Sequence, residues 1–516
     1  MKKFITTIAL LAFIVFAYGQ KMEVGSGAYV TLGHNACMTV DGDLVTTNGN
    51  FTITSNANGT GSLIVTGITG TTGDITAERY VTKDIWHYVS APVADQNITT
   101  TWMTNNSIDY TDPAYQLFRW DEDTQYWIYF NYSGTEPEDF GDTKFVTARG
   151  YSLDRTADGA LSFTGSVRTG DQTYAASYTA SKGEGWNLVG NPFTCSVGAT
   201  SSATTTDDFI ADNSSRIHAS YQGLFLWDEQ AGYNGSRDDY KIISNGAIGS
   251  YTQIAQDYIQ PGQGFMVKVV SGGSTLEFDE DMQAHNGDDF YKNSKELWPS
   301  FDLIIENDEL FNATSIGFNE NMTKGLDPSY DIGKLKGNPN LALYTRLVED
   351  NGIDFAIQAL PWENMEDFVV PVGVDVAETG MFEFTAVQQN MDHYNIMLED
   401  RELNVVTNLR WETYHAEIAQ SGTGRFFLHF KDATAIGEQT LQNSITCRYV
   451  DGRIRINNPK HETGIVSLVN TMGQVLQSVQ LNGEASTDIS AWQPPGIYIV
   501  TIQTNKARFG QKIFIR

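Results

Sequence analysis

The residues best suited to chemistry in this sequence are runs of carboxylates beside tryptophans. Asp121-Glu122-Asp123 follows Trp120, and Asp228-Glu229 follows Trp227. Glycoside hydrolysis needs two carboxylates on opposite sides of a sugar, next to an aromatic platform. Here the carboxylates are consecutive and fall at an expected hairpin tip, so they point apart into solvent and are read as solvated turns. Asp279-Glu280-Asp281 with Asp288-Asp289, and separately Asp327 with Asp331, carry the oxygen ligands that calcium takes. Neither run has the EF-hand spacing, since the first lacks a third ligand at position five and a glycine at six. Surface charge is the expected role, a structural calcium is the alternative, and no other cofactor is expected.

Aromatic side chains are the other candidates. Tyr126, Trp127, Tyr129 and Tyr132 gather in one hairpin, with Tyr233 and Tyr240 in a counterpart. Such rings stack on sugars and anchor binding surfaces. The candidate ligand-binding residues are therefore Trp120, Tyr126, Trp127, Tyr129, Trp227 and Tyr233. Trp127 alternates with Tyr126 and Ile128, so about half of this group belongs to a core. The eight histidines are scattered without metal-ligand spacing, and His87 and His429 fall inside expected strands. Cys37, Cys195 and Cys447 form no CxxC pair and are expected to be buried and unpaired. No HExxH, GxSxG, Walker or GxGxxG motif is present, so no catalytic residue or metal ligand is assigned.

The elements that would position these residues are β-strands throughout. At 516 residues the chain is long enough for several modules, and 12% aromatics with 41% hydrophobics supply packed cores. A formal charge of −30 repels phosphate backbones and argues against a nucleic-acid partner. Residues 1–19 read as a signal peptide: Lys2 and Lys3, an apolar run from Ile5 to Phe16, then the small residues Ala17 and Gly19 before the cut. No later run is apolar enough to span a membrane.

Residues 20–82 are rich in Gly, Thr and Asn, with short strands between DG, NG and GTG turns. That pattern predicts a short β-solenoid or meander. Residues 83–183 and 184–295 are two copies of one β unit. Trp86-His-Tyr-Val-Ser-Ala-Pro92 matches Trp186-Asn-Leu-Val-Gly-Asn-Pro192, and Tyr115-Gln-Leu-Phe-Arg-Trp120 matches Tyr221-Gln-Gly-Leu-Phe-Leu-Trp227. Ala148-Arg-Gly150 then matches Gly262-Gln-Gly264, and Ala160-Leu-Ser-Phe163 matches Ser274-Thr-Leu-Glu-Phe278. Trp86 and Trp186 are expected to anchor the two cores. Residues 296–431 hold seven or eight alternating strands, which predict a two-sheet sandwich. A polar linker covers 432–444, and 445–516 reads as a small immunoglobulin-like sandwich.

That last module resembles the C-terminal sorting domain (type A) of type IX secretion substrates of Bacteroidota. The residues that carry the resemblance are Asp451-Gly-Arg-Ile-Arg-Ile, the run from Ile465 through Gly473 to Leu476, Asp488-Ile-Ser, Pro495-Gly496-Ile-Tyr498, and the basic terminus with Lys512 and Arg516. Asn470 and Gln474 replace the family's usual Asp and basic residue. The resemblance implies Sec export, recognition by the outer-membrane translocon and its sortase machinery, and release or attachment to surface lipopolysaccharide. The module carries eight Lys and Arg against four Asp and Glu, a net +4 that leaves −34 on the rest. The sequence therefore predicts an all-β, multidomain, extracellular or outer-membrane-surface passenger, non-enzymatic and adhesive or structural. The alternative is a carbohydrate-binding protein of a polysaccharide-handling system, and a third reading is an enzyme whose site has no linear motif.

Overall fold

The computed structural model describes residues 18–47, 50–67, 73–111, 114–131, 140–228, 240–248, 251–254, 256–286, 297–391 and 393–432, and, toward the C-terminus, 446–450, 452–458, 461–470, 473–490, 493–494, 496–504 and 508–515. The expected signal peptide, through residue 17, and the expected linker from 433 onward lie outside them. The chain forms two compact units that divide between residues 434 and 435. Among the described residues no helix is long and apolar enough to cross a membrane.

The Gly/Thr/Asn-rich region builds three rungs of a parallel β-solenoid. Tyr18–Glu23, Cys37–Val45 and Ser62–Val65 stack as one sheet, and Val30–Leu32, Phe51–Ile53 and Ile75–Val81 stack as the other. The register puts Leu32, Ile53 and Ala77 in one column, and all three are buried. Short strands with alternating apolar residues suffice because each rung covers the next.

Each copy of the duplicated unit has the same plan. A leading strand (Ile75–Val81 or Gln172–Ala176) pairs antiparallel with the closing strand (Gly159–Gly165 or Ser274–Phe278). Between them lies a small antiparallel sheet. In the first copy it contains His87–Val89, Tyr151–Leu153, Ala114–Asp121 and Tyr126–Asn131; in the second, Trp186–Gly190, Gly264–Lys268, Leu224–Trp227 and Tyr240–Ile243. Each copy also has one short helix that the strand pattern conceals, Thr100–Asn105 capped by Thr99 and Phe209–Asp212 capped by Asp208. A following asparagine does the same work in both. Asn106 donates to the Trp102 oxygen and accepts from Ser162 N–H, and Asn213 donates to the Phe209 oxygen and accepts from Glu277 N–H.

The two copies form one body through reciprocal contacts. Val89 bridges Gln263, and Val189 bridges Arg149. Ser90 N–H donates to the Gly262 oxygen at 2.9 Å, and Gly190 N–H donates to the Ala148 oxygen at 3.0 Å. Ala148 and Gly262 both sit in the left-handed region, at φ 56° and 67°. A side chain at Gly190 would place its Cβ 2.6 Å from that of Ser90, so the close approach requires glycine. Arg168, buried at the seam, donates from one Nη1 to the oxygens of Ala91 and Pro192, at 2.8 and 3.1 Å.

The strands expected as a two-sheet sandwich are hydrogen-bonded into one eleven-stranded sheet. Its order is Val405–Asn408, Tyr394–Asp400, Gly422–Asp432, Val369–Val376, Leu341–Thr345, Phe355–Leu360, Phe311–Phe318, Ser300–Glu306, Gly380–Gln389 and Tyr414–Ile418, with Ile332–Gly333 added to Phe355–Leu360. The sheet curls until its two halves share a core. Phe430 meets Phe301 and Phe318 with ring centres 5.8 and 5.2 Å away, and Phe426 meets Phe384 at 4.9 Å. Side chains join the ends: buried Asp400 accepts from Tyr414 Oη at 2.7 Å and from Arg425, while Arg425 also donates to the Glu417 oxygen.

In the C-terminal unit, Thr446–Val450, Arg453–Asn457 and Ser486–Ser490 form a three-stranded antiparallel sheet. Val475–Asn482, Thr463–Val469, Gly496–Thr504 and Arg508–Ile515 form a four-stranded one. Ile454 and Ile456 from the first pack with Val466, Leu468, Val500 and Ile502 from the second, an immunoglobulin-like sandwich core.

Candidate functional site

Most of the candidate aromatics of the first copy share one sheet face. In the first copy the register pairs Trp120 with Trp127 and Phe118 with Tyr129, so these four share a face with Tyr88. Around Tyr88 the two copies meet. Its ring lies 5.8 Å from Trp127 and 5.8 Å from Trp227, and its hydroxyl hydrogen-bonds that of Tyr240 at 2.8 Å. Trp120 packs edge-on against Trp127 at 5.3 Å, and its Nε1 donates to the main-chain oxygen of Trp186.

Trp120, Trp127, Tyr129 and Trp227 are thus half-buried in packing, whereas Tyr126 is 68% exposed on the other face. Tyr132 and Tyr233 lie outside the described residues. Trp86 and Trp186 are also on this face rather than in the inner cores they were expected to anchor, and Trp186 packs there on a separate buried cluster with Leu188, Phe225 and Met266. Trp86 meets Phe118 and Trp186 meets Phe225, at 5.2 and 5.0 Å and both edge-on. The inner core is built instead from Val89, Leu117 and Leu153 in the first copy and Val189, Leu224 and Val267 in the second.

The carboxylates beside the tryptophans are not all solvated. Glu122 is buried, and its Oε1 accepts from Thr179 N–H at 2.7 Å and Gly185 N–H at 2.8 Å, holding the loop that leads into the second copy. The expectation of an exposed pair fails there because the hairpin tip packs against that loop. Burial raises the Asp121 carboxyl, but hydrogen bonds from Thr124 and Arg119 outweigh it and hold the group below its ordinary value. Asp123 is exposed and accepts from Thr179 Oγ1. Asp228 faces Lys241 at 3.8 Å, and Glu229 lies outside the described residues.

The carboxylates weighed for calcium serve the backbone. Asp279 accepts from Asp281 N–H, Asp327 from Thr323 N–H, and Asp331 from the N–H groups of Asp327 and Ala359. Asp279 also stands with Asp207 and Asp212, one oxygen from each lying within 4.8 Å of the others. Asp288 and Asp289 lie outside the described residues. His87 is buried in its strand and bonds the Thr82 oxygen, while His429 bonds Glu399 at 2.9 Å on the sheet's outer face. None of the three cysteines is joined in a disulfide; Cys195 and Cys447 are buried, but Cys37 is exposed on a rung edge, against expectation.

A small, open cleft lies between the second copy and the large sheet, where no local sequence pattern marks it because its walls come from six separate segments. Tyr240, Tyr251 and Phe311 border it with Thr252, Asn312 and Lys334. Lys334 Nζ donates to Asn312 Oδ1 and the Ala313 oxygen.

Residues 5–430 match the family model described as a domain of unknown function, DUF8693. The chain belongs to the DUF8693 family. Behind the DUF8693 region, residues 450–516 match the secretion system C-terminal sorting domain. No curated protein matches the chain. The tail makes this DUF8693 protein a type IX secretion substrate, delivered to the cell surface or the extracellular space. Its motif residues are largely structural. Gly473, at φ 81°, closes the turn begun by Asn470; Gly496 pairs with Ile515; and Tyr498 Oη donates to the Pro494 oxygen at 3.0 Å. Lys512 is paired with Ile499 in the ladder. Pro495 and Arg516 lie outside the described residues.

Proposed function

We propose that this DUF8693 protein is a non-enzymatic passenger that acts as an adhesive or structural element after type IX export. What supports the reading is how its ionisable side chains are used: Glu122, Asp327, Asp331 and Asp400 each accept hydrogen bonds that hold loops or strands. Catalysis needs such groups turned toward a substrate with separated pKa values. A rigid solenoid running into fused sheets suits a protein that presents a surface. Release or attachment to surface lipopolysaccharide by the export machinery belongs to the same proposal. The test is surface retention and cell attachment by purified full-length chain: saturable attachment is expected, and hydrolysis or transfer on a broad substrate panel contradicts the non-enzymatic reading.

A second reading, glycan binding, draws support from the cleft beside Tyr240, Tyr251 and Phe311, where rings adjoin amide, hydroxyl and ammonium groups. A glycan array probed with the full chain separates the two. Saturable binding lost in Tyr251→Ala favours the glycan, and no binding leaves the adhesive reading alone.

A further inference from the structure

The duplication provides an internal comparison around Trp86 and Trp186. In the second copy Trp186 stands opposite Lys268 in the ladder. The Lys268 ammonium lies 5.6 Å from the Trp186 ring centre and 4.9 Å from that of Tyr221, and pairs with Glu184 at 3.3 Å. An ammonium over an indole with a carboxylate behind it is a favourable cation–π arrangement.

The first copy keeps most of this arrangement. Asp84 stands two residues before Trp86, as Glu184 does before Trp186, and both have left-handed backbones at φ 58° and 50°. Trp86 meets Phe118 as Trp186 meets Phe225. The cation is what differs. Leu153 pairs with His87, so the next position outward sets Asp154 opposite Trp86, where the second copy has Lys268. Asp109 adjoins it, its N–H donating to the Asp154 oxygen at 3.1 Å. Burial raises the Asp154 carboxyl, and the Asp109 and Asp84 carboxylates add to the rise against an Arg155 N–H bond and His87. Among the described residues no ammonium or guanidinium lies over the Trp86 ring; Lys83 pairs with Asp84 at 3.3 Å.

We propose that Trp86, Asp84 and Asp154 receive a lysine or arginine side chain of a partner polypeptide, which takes the place that Lys268 fills in the second copy. Phe118 and Tyr129 continue the half-buried face beside Trp86 and offer apolar surface to the stem of such a side chain. The chain's charge of −30 draws a basic partner toward the site. A metal ion would leave the ring unused, which is why an organic cation fits. The inference rests on the adhesive reading: cell attachment without binding of a basic peptide would sink it and leave that reading standing.

The test is calorimetric titration of the full chain with acetylated tetralysine amide, and in parallel with tetraglutamate and glucosamine. Tetralysine is expected to bind and tetraglutamate not. Asp154→Lys rebuilds the second copy's arrangement and should weaken tetralysine at least tenfold while the unfolding midpoint holds. Asp84→Asn, at an exposed position, should weaken it severalfold without a folding penalty. Asp308→Lys makes the same charge change in a remote turn and should alter binding less than twofold. Equal loss in Asp154→Lys and Asp308→Lys, or no loss in either site variant, overturns the proposal. Binding of glucosamine in preference to tetralysine overturns the assignment to a polypeptide.

Discussion

Trp120 Nε1 donates to the main-chain oxygen of Trp186 at 2.7 Å, so the hairpin tryptophan of the first copy holds the opening tryptophan of the second. This bond joins two residues the sequence marks as repeat signatures and places them in one interface. Trp120→Phe keeps an aromatic ring against Trp127 but leaves the Trp186 oxygen without its indole donor. A loss of about 1–2 kcal/mol is expected in urea unfolding of the DUF8693 unit. An unchanged midpoint would show that the bond contributes nothing.

Glu122 and Tyr126 stand four residues apart in the hairpin and should behave oppositely. Glu122→Ala removes the acceptor of two loop N–H groups in a buried place, and about 2–3 kcal/mol of destabilisation is expected. Tyr126→Ala removes a ring that is mostly in solvent and should stay within about 0.5 kcal/mol. Comparable losses in the two variants would contradict the assignment of Glu122 as the loop's anchor.

Asp302 gives the large sheet a pH dependence of known sign. Burial pushes its carboxyl up to about 7, against hydrogen bonds from Ser315 and the Tyr251 backbone and the charge of Lys241. The unfolded chain releases the same proton near pH 4, by the ordinary value for an aspartate of about 3.9. Its contribution is therefore fully present below about pH 4 and is lost as pH rises toward 7. Asp331, pushed up to about 8 by burial, extends the same trend. Relative to Asp302→Asn, the wild type should lose stability by as much as about 1.4 kcal/mol per pH unit across that window. A difference independent of pH would mean that Asp302 is ionised in the fold.

Much of this architecture is legible in the sequence, because its signals are local. The Gly- and Asn-rich turns mark the solenoid strands, and the matched blocks at Trp86 and Trp186 mark the two copies. The parts that escape depend on distant partners. Phe311–Phe318 pairs in parallel with Phe355–Leu360, a long-range pairing that fuses expected layers into one curled sheet. Thr100–Asn105 is too short to show a helical period. The outward face of Trp86 is set by its alternation with His87, whose burial no hydrophobic pattern announces. Glu122 looks like turn charge until the loop at Thr179 closes over it.

The most direct test of the account as a whole is delivery of a chain lacking residues 450–516, followed by cell fractionation and protease accessibility. The two compact units divide upstream of this segment, so the DUF8693 region should remain folded. A folded, protease-shielded passenger retained in the periplasm is expected, with none at the surface or in the medium. Normal surface delivery of the truncated chain would contradict it.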